Sequence, residues 1–128
     1  MSYYFAKTLS MGFTEAVQRA TEALKQEGFG IITDIDISAT FKKKINVDFR
    51  EYRILGACNP SLAHEALRIE DKVGTMLPCN VIVQDVGNGQ VEVAAIDPVA
   101  SMQAIDNTEL KSAAQQVRDK LQRAIASL

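Results

Sequence analysis

Histidine occurs once in this chain, at His64, and cysteine twice, at Cys58 and Cys79. One chain therefore cannot supply a closed four-ligand zinc set of the usual cysteine and histidine type. Only thiolates contributed by two copies of the chain would complete one. No cofactor is expected. Basic excess is missing as well: the net charge is −2 and the pI about 5.4, so nothing attracts a phosphate backbone and no nucleic-acid partner is expected. The one cationic run, Lys42-Lys43-Lys44, reads as a solvated face, although Lys44 could reach an anionic ligand. No apolar run approaches the ~20 residues that a bilayer requires, so no membrane partner is expected. The opening Met-Ser-Tyr-Tyr-Phe-Ala-Lys is too short and too soon interrupted by Lys7 for a signal peptide. A cytoplasmic setting follows, and with it reduced thiols rather than a structural disulfide.

What is present suffices for one core. With 47% hydrophobic residues in 128, residues 1–128 are expected to form a single compact domain without a linker, repeat or low-complexity segment. Residues 2–8 read as a short aromatic strand. Phe13, Ala16, Val17, Ala20 and Leu24 recur at helical spacing over roughly 13–27, and Gly28 follows as a C-terminal cap. A second strand runs from Phe29 to about Ile37. Ser38 is the expected cap of a short helix carrying Phe41 and Ile45. Tyr52 to Ala57 reads as a buried strand. Asn59-Pro60 then starts a helix over about 60–71, with asparagine as N-cap and proline in the first turn. Met76–Asp85 and Gln90–Ile96 read as strands joined at Gly87-Asn88-Gly89, which contains the Asn-Gly hairpin signal. Asp97-Pro98 ends the second of them. A last helix is expected from Asp106, with Glu109 completing a capping box and Leu110, Ala113, Val117, Leu121, Ala124 and Leu128 along its apolar line. The order implies an α+β domain, a mixed or antiparallel sheet with helices packed on it. A half-wet strand such as Val91-Glu92-Val93 leaves a face that a second copy could bury, so a homodimer is expected.

Two islands carry the chemistry: Gly56-Ala57-Cys58-Asn59-Pro60 and Leu77-Pro78-Cys79-Asn80-Val81. Each sets Cys-Asn beside proline at an element boundary, which suggests that the two boundaries meet. Cys58 stands one residue before a helix N-cap, where the helix end favours a thiolate; its other reading is a small buried hydrophobe. Cys79 follows a proline at a strand start and has the same two readings. Asn59 is explained as a cap. Asn80 suits a strand poorly and would line a pocket, hold a loop or reach across a dimer axis. His64, without a neighbouring nucleophile and carboxylate in sequence, reads as a surface or packed residue. Asp97 reads as a turn residue with a minor claim on a site. Gly28-Phe29-Gly30 lacks the rest of a dinucleotide fingerprint. No catalytic motif emerges.

The islands, together with Gly28-Phe29-Gly30, Ala63, Leu67, Gly74 and Asp97-Pro98, resemble a bacterial and archaeal family called domain of unknown function 302. The resemblance implies a compact α+β fold, often dimeric, and no settled activity. The expectation is a small-ligand-binding or assembly domain whose site comprises Cys58, Asn59, Cys79 and Asn80. The alternative is a sulfur-handling or redox protein using Cys58 and Cys79.

Overall fold

Strand alternation in the computed structural model, which describes residues 2–128, sets up one covered and one open face of a single sheet. Its strands are β1 (Tyr4–Leu9), β2 (Gly30–Asp36), β3 (Tyr52–Cys58), β4 (Cys79–Gly87) and β5 (Gln90–Ile96). They lie in the order β1-β5-β4-β3-β2, and every neighbouring pair is antiparallel. Of the mixed and antiparallel alternatives, the chain adopts the second. Cys79, Val81 and Val83 of β4 alternate with Asn80, Ile82 and Gln84, and the first set is buried. Val91, Val93 and Ala95 of β5 face the same way as the β4 set. This is the period-two pattern that buries one side of a pleated strand.

Helix α1 (Phe13–Gln26) and helix α5 (Thr108–Ala126) cover that buried face. Ala16, Ala20 and Leu24 of α1 and Leu121, Ala124 and Ile125 of α5 join the sheet residues in one core. A second, smaller core gathers Ala66 from helix α3 (Pro60–Ile69), Val73 from a 3₁₀ segment (Asp71–Met76), Met102, and Leu110 and Ala114 from the start of α5. Leu77 packs against both clusters. Short helices α2 (Ile37–Ile45) and α4 (Pro98–Ser101) complete the fold. No helix among the described residues is long and apolar enough to cross a membrane.

Several boundaries differ from the sequence expectation. Helix α2 is capped by Asp36, whose Oδ1 accepts from the Ala39 N–H at 2.9 Å, while the Ser38 hydroxyl donates to the Phe49 carbonyl. Helix α3 ends at Ile69, and the 3₁₀ segment replaces its expected last turn and the expected start of β4. Helix α5 begins one step later than a cap at Asp106 requires. Asn107 is the cap: its Oδ1 accepts from Leu110 N–H at 3.1 Å and its amide donates to the Ile69 carbonyl at 3.4 Å. A residue that closes its own helix and ties it to α3 displaces one that could only do the first. Asp97 does more than end β5. It caps α4, a helix that sequence reading omitted, by accepting from Val99 N–H at 3.0 Å and Ala100 N–H at 3.4 Å.

Candidate functional site

Pairing of β3 with β4 brings the two islands side by side. Ala57 stands opposite Cys79, and Gly56 opposite Asn80. Two glycines let the surrounding segments close in. A Cβ on Gly56 would lie 2.1 Å from Thr33 Oγ1 and 2.7 Å from Pro78 Cγ, so only glycine admits both neighbours. Gly28 has φ +85° at the end of α1, and a Cβ there would come within 2.9 Å of Asn59 Nδ2. The Leu77–Pro78 peptide bond is cis.

Asn59 fills its expected place. Its side chain accepts from Leu62 N–H at 3.3 Å, with Pro60 in the first turn of α3. Cys58 is half-buried, Cys79 is buried, and both thiols are free. Burial pushes the Cys79 thiol up to about 11, and the neighbouring Cys58 adds to the rise because two adjacent thiolates would repel.

The thiols and Asn59 line a cavity of about 290 Å³. Phe29, Ile32 and Ala57 form its sheet wall. Leu62, Ala63, Ala66 and Leu67 of α3 face Leu110, Ala113, Ala114 and Val117 of α5 across it. Leu77, Pro78, Pro98 and Met102 complete it. The cavity thus lies between the two hydrophobic clusters. Ile32 is 62% exposed and Leu67 is 43% exposed, so these two lining residues mark where it opens to solvent. No carboxylate, ammonium, guanidinium or imidazole lines it. The alanines on both helices make the space: any larger side chain at Ala63 or Ala113 would occupy it.

Asn80 is not part of this wall. It is exposed on the opposite, open face of the sheet, in a shallow concavity with Tyr3, Tyr4, Tyr52, Ile82, Gln84 and Glu92. The residues named from sequence therefore divide into a cavity set, Cys58, Asn59 and Cys79, and a separate surface residue. Alternation explains the division, because successive strand residues point to opposite faces. His64 is exposed on α3. Lys44 is exposed in the last turn of α2. Asp97 lies outside the cavity lining and, besides capping α4, pairs with Arg118 Nε at 3.2 Å; the Arg118 guanidinium also sits 5.1 Å from the Phe5 ring centre. No group of three or more metal-binding side chains occurs among the described residues. Sequence reading did not assign Met102, Leu110, Ala113, Ala114 or Val117 to the site. Only the alanines at the facing positions of two distant helices hinted at it.

Residues 5–128 match the family model for the domain of unknown function DUF302. No curated protein matches the chain. Among solved structures, the chain is similar to an uncharacterized conserved DUF302 protein from Bacillus stearothermophilus. The two are 28% identical in sequence and superpose with a TM-score of 0.90 over 98% of each chain. The chain belongs to the DUF302 family.

Proposed function

We propose that this protein is a binding domain for a small apolar molecule, held in the cavity between β3, α3 and α5. The observation that carries the reading is the cavity wall itself: about 290 Å³ of space whose only polar side chains are Asn59 and the two thiols. Water gains little there, because an ordered water needs two to four polar partners. An apolar ligand would instead complete a core that is now divided in two, at roughly 0.8 kcal/mol for each buried methylene. The size lies near the lower end of known ligand sites, roughly 300–1,000 Å³. A cytoplasmic setting accords with this reading, since reducing conditions would keep Cys58 and Cys79 free.

Assembly is the second part of the proposal. The open sheet face presents Ile54, Ile82, Ala94 and Ile96 between Tyr4 and Tyr52, opposite the face on which α1 and α5 pack. A second copy meeting the same face by two-fold symmetry would bury these rows against each other. Its one central carboxylate, Glu92, already accepts from Gln84 Nε2 at 2.9 Å.

Thermal unfolding with increasing N-cyclohexylsuccinimide, an uncharged apolar probe, tests the binding claim. The melting temperature should rise with probe concentration as a ligand bound only to the folded state requires. Ala113→Leu, which fills the cavity, should abolish the rise. A melting temperature insensitive to the probe in the unaltered protein would refute the reading.

A further inference from the structure

We propose that the cavity captures small apolar electrophiles covalently, with Cys58 as the nucleophile. This inference rests on the binding reading above and adds the chemical class of the ligand. Cys58 differs from its neighbour in one decisive respect. Both line the apolar cavity, but Cys58 is only half-buried and open to solvent, whereas Cys79 is 7% exposed. A molecule seated among Leu62, Ala63, Leu77 and Ala113 shares the cavity with Cys58. Such confinement replaces a bimolecular encounter by a local one.

An activated alkene conjugated to a carbonyl fits the site. The Cys58 Sγ bonds to the β-carbon, the carbon–carbon π bond breaks, and its electron pair forms a bond from the α-carbon to a proton. The thiol proton is given up to water and an equivalent proton is taken at the α-carbon. The net change is addition of S–H across the double bond, with no leaving group, oxidant or reductant. The wall offers no charged group to hold an ionic electrophile, and transferring a charge into it would be costly. Selection is therefore for apolar reagents over charged ones with the same reactive group.

The test compares N-cyclohexylmaleimide with N-(2-carboxyethyl)maleimide, with modification rates at Cys58 and Cys79 resolved by mass spectrometry. The ratio of apolar to charged rate at Cys58 in the native protein should exceed the ratio in the urea-unfolded chain by about tenfold or more. N-cyclohexylsuccinimide, which has the same ring but no alkene, should slow the apolar reaction and leave the charged one less affected. Ala113→Leu should remove the preference, and Ala63→Leu serves the same purpose at the other wall. The competition needs no variant, so a poorly folding substitution does not decide the matter. Equal native and unfolded ratios, or first modification at Cys79, overturn the inference. If the succinimide still raises the melting temperature in that case, binding stands and only covalent capture falls. If it neither shifts melting nor slows modification, both fall.

Discussion

At Gly56 a methyl group has nowhere to go. Its Cβ would sit 2.1 Å from Thr33 Oγ1 on β2 and 2.7 Å from Pro78 Cγ, just before β4. Gly56→Ala should therefore lose about 1–3 kcal/mol in urea unfolding, the usual range for overpacking. Thr33→Ala in the same chain should recover part of the loss, because Pro78 remains. No recovery would place the strain elsewhere. Cys79 gives a second residue-scale expectation. Its thiol pKa is pushed from the ordinary 9.0 to about 11 in the folded chain. Below pH 9 both folded and unfolded chains keep the proton, and stability is unaffected. Between these values the unfolded chain releases a proton that the folded chain retains, so stability falls as pH rises. The loss attributable to this thiol should be on the order of 2 kcal/mol by pH 11. Comparing unfolding free energies of the unaltered protein and Cys79→Ala from pH 8 to 11 isolates it; parallel profiles would contradict the assignment.

Among the elements, α3 starts on a single capping side chain. Asn59 caps it through Leu62 N–H, while its amide lies against Gly28. Asn59→Ala should cost about 1 kcal/mol, whereas Asn59→Asp keeps the accepting oxygen and should cost less. Equal losses measured by denaturant unfolding would mean that the amide, rather than the cap, is what matters. This helix start was legible in the sequence because the cap and the following proline are adjacent residues with local consequences. The β5 strand was legible to the residue for a similar reason, alternation bounded by an Asn-Gly turn and a proline. The cap of α5 was not. Asp106 and Glu109 imitate a capping box, and only the distant Ile69 carbonyl reveals why Asn107 takes the position. The Asp71–Met76 segment and α4 were missed because short helices have too few periodic positions to announce themselves.

The whole molecule supplies what neither residues nor elements contain. That Cys58 and Cys79 stand together follows from β3–β4 pairing, and the repeated Cys-Asn-proline pattern made that much readable. The cavity arises from how α3 and α5 meet, residues Ala63 and Ala66 facing Ala113 and Ala114 across about 50 positions of sequence. Asn80 was grouped with the cysteines by adjacency in sequence and separated from them by the pleat. It belongs to the open face, where the proposed dimer would form. Sedimentation velocity at micromolar concentration should show a dimer, and Ile82→Lys should shift it to monomer while the circular dichroism spectrum is kept. A monomer in the unaltered protein would remove the assembly claim without touching the cavity. The cavity is tested most directly by calorimetric titration of N-cyclohexylsuccinimide into the unaltered protein and into Ala113→Leu at several temperatures. An apolar binding cavity should give saturable one-site binding with a negative heat-capacity change in the first, the mark of apolar burial, and heats of dilution alone in the second. Heats of dilution alone in both would contradict it.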